Sequence, residues 1–166
     1  MMMKSGEFDI SVATTDDVAG VMTLQNANLA SNGGSLSAAL SEEKLALMIE
    51  EMPLIIAKKK GEIVGFLLAA DLKRNADIPV VKSLLKAFTG DNDAYLYGPV
   101  CVSIDQRGKG LAGMMFAELR RQLPNRQGTL FIRDDNGPSI EAHKKMGMTP
   151  SGTFSHDGAE FTVFTY

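Results

Sequence analysis

The spacing of apolar residues along the chain predicts an ordered series of strands and helices. Apolar and polar residues alternate, or apolar runs stand between turn residues, over the strands predicted at 8–13, 54–57, 63–70, 95–103, 128–133, 149–155 and 159–166. Apolar residues recur every three or four positions over the helices predicted at 18–29, 41–52, 78–89, 111–122 and 138–146. Turns are predicted at 31–37, 58–62 and 156–158. The order β-αα-ββ-α-β-α-β-α-ββ predicts a mixed α/β fold.

Length, composition and charge favour one domain spanning 1–166. Hydrophobic residues make up 45% of the 166 residues, enough for a full core in a chain of this size. Seventeen basic and twenty acidic residues give a net charge of −3, which argues against a dedicated nucleic-acid-binding protein. The N-terminus lacks the apolar segment of a signal peptide, and no run reaches the roughly 20 apolar residues that span a bilayer. We therefore expect a cytoplasmic protein with no nucleic-acid or membrane partner.

Cysteine and histidine are too sparse to indicate a disulfide or a metal site. Cys101 is the only cysteine and lies in an apolar strand segment, so we expect a buried, unreactive thiol. The two histidines, His143 and His156, have no cysteine or carboxylate partners at metal-ligand spacing. We expect no metal cofactor.

The stretch from Asp105 to Gly113 is the most informative part of the chain. It reads Asp-Gln-Arg-Gly-Lys-Gly-Leu-Ala-Gly and joins a predicted strand to a predicted helix. A glycine-rich turn at a helix N-terminus exposes several backbone N–H groups on the positive end of the helix dipole. The sequence therefore predicts an anion site here, most simply a phosphate site.

Three kinds of phosphate ligand fit such a turn. A Walker A loop requires G-x-x-x-x-G-K-[ST], and that pattern does not occur. Residues 108–113 satisfy the dinucleotide pattern G-x-G-x-x-G, but they lie two-thirds along the chain, after a hairpin. The third pattern is [Q/R]-x-x-G-x-[G/A], which Arg107, Gly110 and Ala112 match.

With this loop and a second motif, the chain resembles the GNAT superfamily of acyl-CoA N-acyltransferases. The second motif, N-x-x-[AS]-x-x-x-Y-x-x-x-G-[FM], is similar to residues 136–148, although His143 stands where the tyrosine is usual. The order of elements agrees as well, so the resemblance covers roughly 8–166. It implies a mixed, mostly antiparallel central sheet, splayed at its middle strands and flanked by helices.

The resemblance also implies a binding site for acetyl-CoA as acyl donor, without a metal. The loop would bind the pyrophosphate, and the strand before it would pair with the pantetheine arm through backbone groups. Asn136 and Ser139 would bind the donor from the second motif, although a helix N-cap explains Asn136 equally well. The implied donor-binding residues are Val100, Cys101, Val102, Arg107, Gly108, Lys109, Gly110, Leu111, Ala112, Asn136 and Ser139.

The reaction implied is transfer of acetyl from acetyl-CoA to a primary amine by direct attack on the thioester. It requires a base for the ammonium and an acid for the leaving thiolate. His143 is the candidate acid, but it also lies on an apolar helical stripe, where a hydrogen-bonded core histidine is the alternative. The base stays open among Tyr95, Tyr97, Ser103, Asp71 and a water relay. We select Tyr97 and His143 as catalytic candidates.

Two alternatives and the acceptor stay open. The missing tyrosine and the unidentified base suit a CoA-binding or regulatory module that has lost catalysis. The dinucleotide match leaves a nucleotide-binding oxidoreductase as a weaker alternative. By resemblance, 29–43 and 151–159 would form the acceptor pocket, and neither is acidic enough to indicate a polycation. We expect a small-molecule or peptide amine as acceptor and an acyl group of acetyl size or larger, and the resemblance is compatible with a homodimer.

Overall fold

A computed structural model describes residues 3–5, 7–29, 31 and 39–166, which form eight strands and five α-helices. The strands are β1 (Met3–Ser5), β2 (Phe8–Val12), β3 (Ile55–Lys59), β4 (Glu62–Asp71), β5 (Tyr95–Val102), β6 (Gly128–Arg133), β7 (Thr149–His156) and β8 (Ala159–Thr165). The helices are α1 (Val18–Ala27), α2 (Glu42–Glu51), α3 (Pro79–Ala87), α4 (Leu111–Gln122) and α5 (Gly137–Lys145). Apart from Ser31, the loop predicted at 31–37 lies outside the described residues.

The chain forms two compact units. The first contains Met1–Ala69 and Gly98–Pro124, and the second contains Ala70–Tyr97 and Asn125–Tyr166. Strands β4 and β5 therefore contribute residues to both units. The prediction of a single domain over 1–166 stays a prediction.

In the first unit, strands β1, β2, β3 and β4 pair in that order, and each pair is antiparallel. The N–H of Ser103, just after β5, donates to the carbonyl of Val64 in β4 at 2.8 Å. Residues from α1, α2, β3 and β4 form the apolar core beside Cys101 of β5. Four of its large members, Leu45, Leu54, Ile56 and Phe66, are each at most 1% exposed, and this tight packing provides a rigid base for the loop after β5.

In the second unit, the strand order is β5, β6, β8, β7. Strands β5 and β6 are parallel, and their ladder covers the first two residues of each, Tyr95 with Gly128 and Leu96 with Thr129. Strand β8 is antiparallel to both β6 and β7. A short ladder at the start of β5 is what a sheet splayed at its middle strands requires. The predicted class, a mixed and mostly antiparallel α/β fold with flanking helices, is confirmed.

The core of the second unit lies between helix α3 and strand β7. Leu84 of α3 is fully buried, together with residues of β7 and β8. The rings of Phe131, Phe154 and Phe161 pack together, with Phe154 and Phe161 stacked at 5.0 Å between centroids. Helix α3 begins with Pro79 at its first turn, where a missing N–H costs nothing.

The structure differs from the sequence-based prediction at the N-terminus and in the first hairpin. Strand β1 was not predicted, and it pairs with β2 from Met3 opposite Ile10. The lysine-rich turn predicted at 58–62 is shorter, because strand β3 continues to Lys59 and the turn consists of Lys60 and Gly61. Salt bridges from Lys58 to Asp17 at 3.1 Å and from Lys59 to Glu7 at 3.0 Å accompany this extension.

Candidate functional site

In the first unit, a short loop joins strand β5 to helix α4. After a 3-10 turn at Ile104–Gln106, the backbone takes left-handed conformations at Gly108, with φ 77°, and at Gly110, with φ 76°. Gly110 is the N-cap of α4, and its carbonyl accepts the N–H of Met114 at 3.1 Å. The predicted strand–glycine turn–helix arrangement is therefore present.

The loop has open space above its two left-handed glycines. A Cβ built on Gly108 or Gly110 would have no heavy atom within 4 Å, so packing is not the reason for glycine. The positive φ values are the reason, since side-chain-bearing residues resist this conformation. The first N–H groups of α4 have no carbonyl one turn before them, and Gly110 has no side chain to cap them. These features suit an anion at the helix N-terminus.

The two cationic side chains of the loop are bound to other parts of the first unit. Arg107 donates from Nε to the carbonyl of Val102 at 3.2 Å and from Nη2 to Oδ1 of Asn28 at 3.0 Å. Lys109 Nζ lies 3.2 Å from a carboxylate oxygen of Glu7 and 3.0 Å from Oε1 of Gln106. Both cationic side chains are therefore held by protein partners, while the backbone N–H groups and the helix dipole can attract an anion.

Strand β5 holds the predicted backbone partners of the donor, Val100, Cys101 and Val102. The Cys101 side chain is buried in the core of the first unit, and burial raises the pKa of its thiol to about 11. A thiol held in its neutral form is not a nucleophile, in agreement with the expectation of an unreactive cysteine. The carbonyl of Val102 already accepts a hydrogen bond from Arg107. That the strand pairs with a pantetheine arm stays a prediction.

In the second unit, His143 lies on α5 between Ser139 and Tyr97. Its Nδ1 is 2.7 Å from the carbonyl oxygen of Ser139 and 3.3 Å from the Ser139 hydroxyl, and its Nε2 is 3.1 Å from the Tyr97 hydroxyl. The two rings meet edge to face at 5.5 Å. Asn136 caps the same helix, its side-chain oxygen accepting the N–H of Ser139 at 3.4 Å. The structure thus brings together the four site residues predicted in this unit.

The hydrogen bonds of His143 indicate its tautomer. A carbonyl oxygen can only accept, so Nδ1 carries a proton; in the neutral ring Nε2 then accepts, and the hydroxyl of Tyr97 donates to it. Burial lowers the pKa of the His143 imidazole, and the bond to the Ser139 carbonyl offsets this in part. Burial also raises the pKa of the Tyr97 phenol. Both groups are therefore neutral at pH 7, and a stable imidazolium at His143 is disfavoured.

Other candidates for the base have structural partners. The Tyr95 hydroxyl accepts a hydrogen bond from Tyr166 at 2.6 Å. A carboxylate oxygen of Asp71 accepts the N–H of Arg74, in the 3-10 turn that follows β4, at 2.8 Å. Sequence reasoning missed Tyr166 because nothing in the alternation of β8 points to a strand two neighbours away.

The described residues show neither a metal site nor a membrane-spanning helix. Within 3–5, 7–29, 31 and 39–166, no three His, Cys, Asp or Glu side chains are grouped so that they could hold a metal ion. None of the helices seen in that part of the chain has the length and apolar character needed to cross a membrane.

Comparison with known proteins identifies the family. Residues 21–148 match the sequence profile described as the acetyltransferase (GNAT) family. The match spans more than half of the chain, so the chain belongs to the GNAT acetyltransferase family. No sequence among curated proteins matches it.

Solved structures with the same fold include members with acetyl-CoA bound. The structure of yncA from Salmonella typhimurium with its cofactor acetyl-CoA has a TM-score of 0.70 at 17% identity, covering 97% of this chain and 94% of that one. A phosphinothricin acetyltransferase from Sinorhizobium meliloti in complex with acetyl-CoA has a TM-score of 0.69 at 17% identity, covering 96% and 88%. A ribosomal-protein-alanine N-acetyltransferase from Brucella melitensis has a TM-score of 0.68 at 19% identity, covering 95% and 98%.

Proposed function

We propose that this protein is an N-acetyltransferase that moves an acetyl group from acetyl-CoA to a primary amine by direct attack on the thioester. The observation that carries the proposal is the glycine loop before α4 in a chain of the GNAT family. Acetyl-CoA is bound in two of the structural neighbours, which supports the same donor here.

The loop suits the pyrophosphate of coenzyme A. The N–H groups at the start of α4 can donate to phosphate oxygens, and the empty space above Gly108 and Gly110 admits an anion close to the backbone. Acetyl-CoA supplies an acetyl group activated as a thioester. The roles of the loop, of Val100–Val102 and of Asn136 and Ser139 in holding it belong to this proposal.

The proton balance of the reaction suits a neutral pair of side chains. An amine that arrives as an ammonium first loses one proton to solvent. On acylation its nitrogen loses a second proton and the leaving sulfur gains one, so this step needs no net proton. His143 Nε2 can accept the hydroxyl proton of Tyr97 as that oxygen takes a proton from elsewhere, and the reverse transfer returns it. Neither group is a strong acid or base alone, because burial keeps both neutral. We propose that Tyr97 and His143 relay the proton together.

The relay predicts which kinetic constant changes in variants. His143→Phe removes the acceptor of the Tyr97 proton, so kcat should fall at least tenfold while the apparent KM for acetyl-CoA changes less than threefold. Tyr97→Phe should lower kcat to a similar degree, and the double variant should be little worse than either single one. Unchanged turnover in both single variants would assign the pair to packing alone.

The activity itself is tested by thiol release from acetyl-CoA with a panel of primary amines. The panel should contain small metabolite amines and a peptide with an N-terminal alanine, since the neighbours include one named for a ribosomal-protein alanine and one named for phosphinothricin. A reaction without amine corrects for hydrolysis, and mass spectrometry identifies the acetylated product. The same panel run with propionyl-CoA measures the preferred acyl size.

A second candidate function is a CoA-binding or regulatory module without catalysis. The burial of His143, 6% exposed, and its two hydrogen bonds favour it, because they also describe a structural histidine. Thermal stabilisation by CoA with no turnover of any amine would favour the module. Stabilisation by NAD but not by CoA would overturn both candidates.

A further inference from the structure

The side chain of Arg107 is held by the protein at both ends of its guanidinium. Nε donates to the carbonyl of Val102, the last residue of β5, and Nη2 donates to Oδ1 of Asn28. The bond to Val102 links the loop to the end of strand β5. The bond to Asn28 links the loop to the end of helix α1. The Arg107 side chain with these two hydrogen bonds is therefore a brace, that is, a link that holds the loop against β5 and α1.

The Asn28 side chain is buried and its amide has a fixed orientation. It is 6% exposed, and its Nδ2 donates to the carbonyl of Leu24 at 2.9 Å. Because that carbonyl can only accept, the amide orientation is fixed and Oδ1 must face Arg107. Asn28 is also the C-cap of α1, where the last carbonyls carry partial negative charge. The C-terminal end of α1 is therefore a favourable partner for the cation of Arg107.

We propose that Arg107 is a positioning residue and not a phosphate ligand, and that Asn28 is its anchor. Together they hold the loop in the conformation that points its N–H groups at the donor. This inference rests on the proposed binding of coenzyme A by the loop. It adds a residue on α1, outside both sequence motifs, to the determinants of donor affinity.

The two roles of Arg107 predict opposite effects of changing Asn28. If Asn28 anchors a brace, Asn28→Ala loosens the loop and should raise the Kd for CoA about three- to tenfold. If Arg107 binds phosphate directly, the same change frees the guanidinium, and the affinity should stay the same or increase. Calorimetric titration of the full chain with CoA separates these outcomes. Asn92→Ala, which alters an exposed asparagine in the second unit, is the matched control and should bind like the wild type.

A double-mutant cycle tests whether the two residues act through one link. Arg107→Ala should raise the Kd about tenfold, and Asn28→Ala combined with it should add less than twofold. Additive losses, or an unchanged Kd in Asn28→Ala, would overturn the inference. Failure of the wild type to bind CoA would instead refute the proposed function, so the two failures are distinguishable.

Arg107→Gln keeps the test decisive if Asn28→Ala does not fold. A glutamine amide can donate to the Val102 carbonyl but carries no charge. Because the bond to Val102 is kept and only the bond to Asn28 is lost, a brace predicts a smaller rise in Kd than that of Arg107→Ala, whereas a phosphate ligand predicts a loss as large as that of Arg107→Ala. Circular dichroism and a thermal melt establish that each variant is folded before titration.

Discussion

Substitution of the glycine at the N-cap of α4 gives the sharpest test of the donor site, because its effect on stability can be separated from its effect on CoA binding. Gly110 has a φ of 76°, and a Cβ placed on it has no neighbour within 4 Å. The Cβ of Gly110→Val therefore meets no neighbouring atom of the protein. The effects of the substitution are a strained backbone and a side chain in the space that the pyrophosphate would occupy.

The strain can be estimated from the backbone conformation. An L-residue in the left-handed region costs about 1–2 kcal/mol, and a β-branched one lies at the upper end. For a chain of this length, each kcal/mol lowers Tm by about 2–4 °C, so we expect a loss of about 4–8 °C. The protein should remain folded, since typical domains are stable by about 5–15 kcal/mol.

The loss of binding should be much larger than this strain suggests. A hydrogen bond to a charged group contributes about 1.5–3 kcal/mol, and blocking the loop removes at least two such bonds to the pyrophosphate. The sum, about 3–6 kcal/mol, corresponds to at least a hundredfold increase in the Kd for CoA. Titration calorimetry measures the affinity, and a thermal melt measures the stability of the same sample.

Gly158 provides the matched control. It lies in the turn between β7 and β8, with a φ of 77° and again no neighbour within 4 Å of a built Cβ. Gly158→Val should therefore lose as much stability as Gly110→Val and retain wild-type affinity for CoA. The assignment of the loop to the donor fails if the two variants bind CoA equally well.

Three further predictions concern buried groups. His143 has a pKa below its unfolded value of about 6.5, so the unfolded state binds a proton first and stability should fall as pH drops through that value, by at most about 1.4 kcal/mol per pH unit. His143→Gln should flatten this part of a pH series of denaturant titrations, and an unchanged slope would contradict the burial argument. Glu118→Ala should cost about 1–2 kcal/mol in the same titrations, because Glu118 is fully buried and bonded to Arg121 and Gln122, whereas Glu118→Gln should cost less. Cys101 should react with a thiol reagent only after denaturation, and rapid labelling of the native protein would show that the thiol is accessible.

Local features of the fold and the site were predictable because local sequence determines them. Strand β6 has the predicted bounds, 128–133, since an apolar run there stands between clear turn residues. The turn at the loop was predictable from its glycines, because only glycine readily takes the φ values of 76° and 77° found there. The start of α2 was predicted one residue early, at Ser41, which is the N-cap of the helix and accepts the N–H of Lys44 at 3.1 Å.

Features that depend on distant partners were not predictable. Three consecutive lysines at 58–60 resemble a solvated turn, yet the strand continues to Lys59 in its pairing with β4, and Asp17 and Glu7 supply carboxylates to Lys58 and Lys59 from far along the chain. Strand β1 has too few residues to show a period of two, and its pairing with β2 supplies the hydrogen bonds that define it. The sequence of these segments alone does not show which distant carboxylates or strand they contact.

The same distinction decides how the donor loop should be interpreted. A cation inside a phosphate-binding motif suggests a phosphate contact, and the motif alone cannot show where its side chain goes. Here Arg107 is bound to Asn28, 79 residues earlier, and Lys109 is bound to Glu7, 102 residues earlier. These partners fix where both cations lie, although the two partners of Arg107 are neutral and leave its charge in the loop. We expect selectivity for the anion to depend on the backbone N–H groups, whose direction is set by loop geometry and therefore by the brace at Asn28.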